Sequence, residues 1–338
     1  DLEGNAKKIL NAASKASSNS ADLVLTPELS LWGYPANDLL LKNNLIRNQY
    51  QILDQLALVI NKKYGNLSIT VGIAEIINDS FFPNLYNSIA LLERGEWKII
   101  ARKIILPTYE VFDEKRYFRS EEKVSVLIKQ IKNKTWRLGF TICEDLWVNK
   151  NIEGRGIHKK NPIFDLKKKK VDILVNLSAS PYTFKKLELR SKVSSFAAQY
   201  LQVPLIYVNQ IGANDNLIFD GNSFILDKNG SKIKQLKSFS EDLSSWDIEQ
   251  TKPEKNKFEK SEMSSIFDAL VLGVRDYAQK CGFKTALIGL SGGIDSALVS
   301  AIATAALGSN NIYCVSMPSK WSSSHSKSDA KDLARRLK

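Results

Sequence analysis

The sequence predicts an α/β protein. Helical and strand-like patterns alternate over the first 230 residues, several strand-like segments are nearly all apolar, and a strand–glycine–helix unit follows near residue 290. Strands that are nearly all apolar are typical of sheets covered on both faces. At roughly 100–200 residues per domain, the 338 residues suffice for about two domains.

Hydrophobic spacing predicts the elements of the first 230 residues in order. Apolar residues at helical spacing predict helices over 3–17, 37–62 and 185–201. Short apolar runs predict strands at 22–25, 67–76, 87–92, 97–101, 136–142, 171–177 and 205–209. From about residue 227 to 262 the chain is rich in Lys, Glu, Ser and Asp, which predicts a hairpin or loop followed by a connector.

Beyond the connector the pattern is that of a starting βαβ unit. Helices are predicted at 266–280, 294–306 and 326–337, and strands at 285–290 and 311–317. Two strands cannot complete a doubly wound sheet. The sequence therefore predicts a first domain over 1–240, a linker over 241–262 and the N-terminal part of a second domain over 263–338.

Composition excludes several classes of protein. The 43% hydrophobic content argues against disorder, and no apolar run approaches the roughly 18–20 residues of a membrane helix. The chain does not open with a charged-then-apolar signal peptide, so we expect a soluble, cytoplasmic protein. The three Cys are far apart and form no CxxC, which argues against a disulfide scaffold or a Cys-rich zinc site.

Charge and histidine content narrow the chemistry further. The net charge of +12 comes mostly from scattered Lys residues, whereas nucleic-acid binders usually cluster basic residues with interleaved aromatics. Nucleic-acid binding is therefore a weak alternative, and the charge would steer anionic small substrates instead. The only histidines, His158 and His325, lie in polar, loop-like segments, so a histidine base is not expected.

A glycine-rich loop, SGGIDS at 291–296, follows one apolar strand and opens an Ala-rich helix. Adjacent glycines allow a sharp turn, and the amides of the helix start then point at one spot, where anions bind. The loop lacks the GK[ST] of a Walker A motif and is not a GxGxxG motif. An ordinary strand–helix turn is the alternative interpretation.

SGGIDS resembles the signature of the ATP-pyrophosphatase, or PP-loop, enzymes, which have a Rossmann-like adenine nucleotide alpha hydrolase fold. The downstream MPSKWSSSHSKSDAKDLARRL resembles the segment that follows the second strand in NAD synthetases. The resemblance implies ATP and Mg²⁺, with Asp295 as a Mg²⁺ ligand; a helix-capping carboxylate is the alternative for Asp295. It implies that the ATP phosphates are held by Gly289, Leu290, Ser291, Gly292, Gly293, Ile294, Asp295, Ser296 and Ala297.

Three reactive side chains each follow a predicted strand in the first domain. Cys143 follows the strand TWRLGFTI, and a thiolate at a strand end is a potential nucleophile. With no histidine nearby in sequence, a carboxylate would have to take the thiol proton and an ammonium would have to stabilise an oxyanion. Glu28 and Lys103 end earlier strands. Taken singly, each could instead be a buried thiol, a cap or a solvated side chain.

The surrounding segments strengthen this interpretation. TPELSLWGYPANDLL, KIILPTYEVFDEKRYF and ICEDLW resemble the three catalytic segments of the nitrilase, or carbon–nitrogen hydrolase, superfamily. Their long forms resemble the amidase domain of glutamine-dependent NAD synthetases. The resemblance implies an αββα sandwich in which Glu28 is the general base, Lys103 stabilises the oxyanion and Cys143 attacks the glutamine amide.

The same resemblance implies a glutamine-binding set: Tyr109, Ser180 and Lys186, with Glu114 and Glu144 as weaker pocket residues. As alternatives, Ser180 could be a turn residue before Pro181 and Lys186 a solvated residue at a helix start. The family pattern also implies an initial strand before residue 1 and further synthetase sequence after residue 338.

Together the two motif sets imply a homo-oligomeric ligase that hydrolyses glutamine to ammonia. With ATP it would adenylate deamido-NAD⁺ and amidate it to NAD⁺, acting on small molecules rather than on nucleic acid or membranes. A stand-alone amidase acting on another amide, or a non-catalytic basic binding protein, are the alternatives.

Overall fold

The structure is a computed structural model of the 338-residue chain, and it describes residues 1–77, 81–148, 160–250, 252–254, 261–321 and 323–337. His158 and part of the predicted linker, residues 251 and 255–260, lie outside the described residues. The chain forms two compact units. The first unit contains Asp1–Ser180, Lys185–Gln210 and Gly221–Phe258, and the second contains Pro181–Phe184, Ile211–Asp220 and Glu259–Lys338.

Helices and strands alternate as the sequence predicts. The helices are α1 (Leu2–Ser18), α2 (Asn43–Tyr64), α3 (Pro162–Lys168), α4 (Lys186–Leu201), α5 (Glu262–Cys281), α6 (Ile294–Leu307) and α7 (Ser324–Leu337). The strands are β1 (Leu23–Leu25), β2 (Ser68–Ile76), β3 (Leu85–Glu93), β4 (Glu96–Arg102), β5 (Ser125–Ile131), β6 (Lys134–Ile142), β7 (Ile173–Ser178), β8 (Leu205–Asn209), β9 (Ile211–Asn214), β10 (Leu217–Asp220), β11 (Phe224–Leu226), β12 (Lys232–Gln235), β13 (Ala286–Gly289) and β14 (Ile312–Val315).

Two sheets form the centre of the first unit. One has the strand order β1-β2-β3-β4, and the other has the order β12-β11-β8-β7-β6-β5. The pairs β1/β2, β6/β7 and β7/β8 are parallel, and the other neighbours are antiparallel. Parallel neighbours place several carboxyl ends of strands at one edge, which is where α/β proteins collect functional side chains.

The two sheets pack face to face between helices. Ile89 and Ala101 of the first sheet meet Phe140 and Val175 of the second in one buried cluster. Helices α3 and α4 cover the outer face of the second sheet through a separate cluster that includes Leu166. Helices α1 and α2 pack together, and α2 packs on the first sheet. The layers are therefore α, β, β, α, and the predicted fold class is confirmed.

The helix predicted over 37–62 is interrupted. Asn37–Leu41 form a 3₁₀ turn, Lys42 is extended (φ −93°, ψ 98°), and α2 begins at Asn43. Six residues of continuous helix separate two side chains by about 120° around the axis. The break therefore lets both Leu40 and Ile46 be buried.

Strands β5, β9, β10 and β11 were not predicted from the sequence. Strand β5 pairs with β6 through a turn whose central residues, Lys132 and Asn133, have φ of 48° and 60°. Such a two-residue turn usually carries Asn-Gly or Asp-Gly, and this sequence lacks that signal. As an edge strand, β5 is only partly buried, so its hydrophobic pattern is weak.

The second unit contains a parallel strand pair. Strands β13 and β14 are joined by α6, and α5 packs against α6. The hairpin β9–β10 packs on α5, where Asp276 Oδ2 accepts the Ala213 N–H at 2.8 Å. This is the predicted start of a Rossmann-like domain; the domain boundaries themselves stay predictions. Within the described ranges, no helix combines the length and apolarity that a bilayer crossing requires.

Candidate active site

Glu28 lies in a tight loop directly after β1. The loop crosses β2 at Gly72, where an added Cβ would lie 2.2 Å from the Leu29 nitrogen, so no larger residue fits without movement. Glu28 is 1% exposed. Its Oε1 accepts hydrogen bonds from Lys103 Nζ at 2.7 Å and from Asn87 Nδ2 at 2.8 Å, and its Oε2 accepts the Ala179 N–H at 2.9 Å. The carboxylate is thus held in one orientation.

Lys103 follows the last residue of β4 and is completely buried. Its Nζ lies 2.7 Å from Glu28 Oε1 and 2.6 Å from Glu114 Oε1. Burial by itself lowers the pKa of the ammonium, but the charges of Glu114 and Glu28 outweigh burial and raise that pKa well above its ordinary value. Lys103 is therefore a permanent cation.

Glu114 completes this charged group. It is 4% exposed, and its Oε1 also accepts the Tyr34 hydroxyl at 2.8 Å. Burial raises the pKa of Glu114 to about 7, with the charge of Lys103 opposing the rise and the charge of Glu28 adding to it. Two carboxyls on one ammonium cannot both be fully stabilised as anions, so Glu114 is poised between its two protonation states.

Cys143 stands at the carboxyl end of β6, where a 3₁₀ turn over Cys143–Leu146 begins. Its backbone is left-handed, with φ of 45°, an uncommon conformation for a residue other than glycine and one associated with functional strain. The side chain is 6% exposed. Burial raises the pKa of the thiol well above its usual value, and Glu28 adds to the rise, whereas Lys103 lowers it. The resting side chain is a neutral thiol.

The residues predicted to bind glutamine are spread around this centre. The Tyr109 hydroxyl donates to Glu144 Oε2 at 2.9 Å, and Glu144 directly follows Cys143. Ser180 is 3% exposed and directly follows Ala179, whose N–H binds Glu28. The Lys186 ammonium lies 5.0 Å from the centroid of the Trp147 ring, a cation–π contact.

Two side chains, those of Arg190 and Asn209, hold Ser180. Arg190, which is completely buried, donates to Ser180 Oγ at 3.1 Å and to Ser180 O at 2.8 Å. Asn209 Oδ1 accepts the Ser180 N–H at 2.9 Å. Its backbone position is therefore set by helix α4 and strand β8 together.

The predicted phosphate loop joins β13 to α6 in the second unit. Gly292 has φ of 87°, and a Cβ there would lie 2.2 Å from the Ser326 carbonyl oxygen, so only glycine fits the loop at this point. The Ser291 and Ser296 hydroxyls lie 3.1 Å apart, and Ser296 Oγ also accepts the Ser291 N–H at 3.3 Å. These contacts fix the conformation of the loop at the N-terminus of a 14-residue helix.

Asp295 lies in the exposed first turn of α6. Across the described residues, no cluster of three His, Cys, Asp or Glu side chains is arranged to hold a metal ion. Mg²⁺ usually takes one or two carboxylates plus substrate phosphates rather than an all-protein cage. A single carboxylate beside a phosphate loop fits that donor set.

Sequence reasoning missed the residues that form hydrogen bonds to Glu28, Glu114 and Ser180. Asn87 and the Ala179 N–H bind Glu28, and Tyr34 binds Glu114. Arg190 and Asn209 bind Ser180. Tyr34 stands in the quoted GYP segment, which was a usable signal. The other supporting residues gave no signal in the sequence, because their hydrogen-bond partners are 29 to 151 residues away. For Arg190 the partner is 10 residues away, across a turn.

A thiol, an ammonium and a carboxylate therefore lie close together between the two sheets. The family model described as carbon-nitrogen hydrolase matches residues 1–253, and the chain belongs to that family. A second family model, described as NAD synthase, matches residues 266–338. Curated relatives that match nearly the whole chain are described as glutamine-dependent NAD(+) synthetases.

Two curated relatives illustrate the similarity. The glutamine-dependent NAD(+) synthetase of Synechocystis sp. is 44% identical over 341 residues, covering 98% of this chain and 60% of the relative. That of Acinetobacter baylyi is 36% identical over 341 residues, covering 100% of this chain and 59% of the relative. The chain thus spans about three fifths of the length of these relatives.

Solved structures agree. A glutamine-dependent NAD+ synthetase from Acinetobacter baumannii, in complex with adenosine diphosphate, matches with a TM-score of 0.87 and 35% identity, covering 100% of this chain and 60% of that one. An amidase of the nitrilase superfamily from Nesterenkonia AN1 matches with a TM-score of 0.56 and 19% identity, covering 70% of this chain and 81% of that one. The second match shows a shared fold only.

Proposed function

We propose that the chain is the glutaminase part, with the beginning of the synthetase part, of a glutamine-dependent NAD⁺ synthetase. The observation that carries the proposal is the buried group in which Lys103 Nζ lies 2.7 Å from Glu28, with both charges acting on Cys143. Buried ionisable groups with shifted pKa values beside a strained cysteine are the hallmark of a functional site rather than of a stable core.

The neutral thiol dictates how the reaction starts. As Cys143 Sγ bonds to the amide carbon of glutamine, the thiol proton passes to Glu28, because a free thiolate is not populated beforehand. Glu28 Oε2 accepts one backbone hydrogen bond, which leaves it a second lone pair for that proton. The Lys103 ammonium faces the developing oxyanion, and its raised pKa keeps it from surrendering its own proton.

The second half of the reaction reverses the proton transfer. Glu28 returns the proton to the leaving nitrogen, ammonia departs, and a thioester remains on Cys143. Glu28 then takes a proton from water as water attacks the thioester, and passes it to the Cys143 sulfur as the carbon–sulfur bond breaks, which yields glutamate and restores the thiol. Among the described atoms, Glu114 Oε2 and Asn87 Oδ1 are buried acceptors without a partner, and the two hydrogens of an amide nitrogen would satisfy them.

Tyr109, Ser180 and Lys186 would hold the substrate. Glutamine carries an α-carboxylate and an α-ammonium besides its amide, so a pocket needs both a cation and acceptors. Lys186, packed on Trp147, supplies the cation, and Glu144, bonded to Tyr109, supplies an acceptor. The Ser180 segment would line the remaining wall, since Ala179 next to it binds Glu28.

The second unit supports the ATP half of the proposal. The loop Gly289–Ala297 would hold ATP phosphates through its amides and the N-terminus of α6. Asp295 would be a ligand of Mg²⁺, which when bound neutralises phosphate charge during adenylation of deamido-NAD⁺. The same proposal includes a cytoplasmic location and assembly as a homo-oligomer.

Ammonia release from L-glutamine tests the amidase half directly. We expect activity from the chain, none from Cys143→Ala, and full activity from the control Cys281→Ala, because Cys281 is exposed on the second unit. Persistent ammonia release by Cys143→Ala would overturn the proposed nucleophile. Turnover of other amides but not of glutamine would instead indicate a stand-alone amidase.

Nucleotide binding tests the other half. We expect titration calorimetry with ATP and Mg²⁺ to show binding that Asp295→Asn weakens by tenfold or more. The exposed Asp332→Asn, on α7, is the matched control because that carboxylate already pairs with Arg336 at 2.7 Å. Equal binding by both variants would contradict the role given to Asp295.

A further inference from the structure

The buried carboxylate of Asp145 accepts three backbone hydrogen bonds. Its Oδ1 accepts the N–H groups of Ile104 at 3.0 Å and Ile105 at 2.7 Å, and its Oδ2 accepts the Ile142 N–H at 3.0 Å. The residue is 1% exposed. Nothing in the mechanism above uses it, and sequence reasoning gave it no role.

The three donors lie beside the two groups that the mechanism requires. Ile104 and Ile105 directly follow Lys103 at the end of β4, whereas Ile142 directly precedes Cys143 at the end of β6. Strands β4 and β6 belong to different sheets, so no backbone ladder joins them in the described structure. Asp145 is thus a directional polar link across the interface between the sheets.

Apolar packing alone does not fix how strands β4 and β6 are aligned with each other. The buried cluster that includes Ala101 and Phe140 holds the sheets together, but hydrophobic association is non-directional. A carboxylate that accepts three N–H bonds restricts both distance and angle. The Oδ2 bond also closes the turn that holds Cys143 in its left-handed conformation (φ 45°).

We propose that Asp145 is a positioning residue that sets the placement of the Lys103 ammonium relative to the Cys143 thiol. It touches neither the substrate nor the reacting atoms; it acts through the backbone on either side of the two side chains. The inference rests on the proposed function for its kinetic consequence, but its geometric content concerns only Lys103 and Cys143.

Asparagine in its place is an informative perturbation. The side chains of Asp and Asn have nearly the same volume, but Asn has one acceptor oxygen, and its NH₂ group would face an N–H. Either the Ile142 bond or the pair from Ile104 and Ile105 is then lost. Burial raises the pKa of Asp145 to about 7, with the three N–H bonds opposing the rise, so a neutral side chain is not foreign to this site.

Asp172→Asn is the matched control. Asp172 Oδ2 accepts the Arg137 N–H at 2.7 Å near the opposite end of strand β6. It therefore makes the same kind of carboxylate–backbone bond on the same strand, away from Cys143. Both variants are made in a Cys281→Ser/Cys314→Ser background, because those two thiols are free and exposed.

Two readouts are compared in the full chain: glutaminase kinetics, and the pH dependence of Cys143 alkylation by chloroacetamide followed by mass spectrometry. For Asp145→Asn we expect kcat to fall about 10²-fold, the scale of an ångström-sized misplacement, with KM for glutamine within about twofold. Lys103 lowers the pKa of the Cys143 thiol, so its displacement should move the alkylation profile to higher pH. Asp172→Asn should leave both readouts unchanged.

A folded Asp145→Asn protein with the wild-type alkylation profile and kcat would overturn the proposal. Loss of kcat by both variants would do so too, since that points to general loosening of β6. If no amide is turned over by the wild type, the proposed function fails, while a shifted alkylation profile in Asp145→Asn alone still supports the positioning role.

A second measurement needs no variant and applies if Asp145→Asn does not fold. In the wild-type chain labelled with ¹⁵N-isoleucine, the amide signals of Ile104, Ile105 and Ile142 should titrate with one common midpoint, because one carboxyl binds all three. Separate midpoints, or no titration of these signals at any pH at which the chain stays folded, would overturn the link.

Discussion

Lys103 provides a direct test of how burial changes the free energy that an ion pair contributes to stability. Its Nζ lies 2.6 and 2.7 Å from two carboxylate oxygens, and the side chains of Lys103, Glu28 and Glu114 are 0%, 0% and 4% exposed. At an effective dielectric constant of about 20, each contact corresponds to about 6 kcal/mol of attraction, much of it offset by the cost of removing the charges from water.

Lys103→Met removes the attraction but leaves the carboxyls buried. Breaking a buried pair in this way costs about 3–5 kcal/mol, a large part of the roughly 5–15 kcal/mol that stabilises a typical domain. Adding Glu114→Gln should recover part of the loss, since it removes one of the two stranded carboxyls. Lys8→Met is the control: Lys8 lies 2.7 Å from Glu241, the same distance, but the side chains are 68% and 69% exposed. We expect that variant to lose roughly 0–1 kcal/mol.

Urea unfolding followed by tryptophan fluorescence measures these differences in the relevant unit, because five of the six tryptophans lie in the first unit. The reasoning is refuted if Lys103→Met and Lys8→Met lose similar free energy of unfolding. It is also refuted if Glu114→Gln destabilises the Lys103→Met protein further instead of restoring it.

Three further predictions follow from single residues. Burial raises the pKa of Glu114 from 4.5 to about 7, so its protonated form stabilises the fold fully below about pH 4.5. That contribution is lost as pH rises through about 7. The free energy of unfolding of the wild type minus that of Glu114→Gln, measured with urea, should therefore fall as pH rises over that range, and a rise would contradict the shift. Gly72→Ala places a methyl group 2.2 Å from the Leu29 nitrogen, so it should cost about 1–3 kcal/mol and reduce ammonia release; a fully active, equally stable variant would contradict the packing of the loop. Gly292→Ala meets the Ser326 carbonyl oxygen at 2.2 Å and has φ of 87°, so calorimetry should find nucleotide binding weakened by tenfold or more, and unchanged affinity would count against the loop.

Strand-end residues were predictable, whereas their supports were not. Cys143 follows the strand-like run TWRLGFTI, and its reactive type at a strand end was visible in the sequence. The bonds from Asn87 and Ala179 to Glu28 span 59 and 151 residues, so local patterns carry no trace of them. Arg190 is a clear case, since a basic residue on an amphipathic helix ordinarily predicts a solvent-facing position, yet it is completely buried.

The fold was predictable where hydrophobic periodicity was strong. Strand β8 has the bounds that were predicted, and α6 ends one residue beyond the predicted helix. Edge strand β5 was missed because its turn lacks glycine. The segment 37–62 was predicted as one continuous helix because the spacing of apolar residues does not reveal the break at Lys42. In both places tertiary packing, rather than local propensity, decides the backbone.

The neutral state of the Cys143 thiol has a consequence for durability. Peroxide oxidises thiolates, so a buried cysteine with a raised pKa is a poor target for conversion to sulfenic acid. Cys281 and Cys314 of the second unit are exposed and would be modified first. In the proposed mechanism proton transfer waits for the substrate, so the neutral thiol would also be protected from oxidative damage between turnovers.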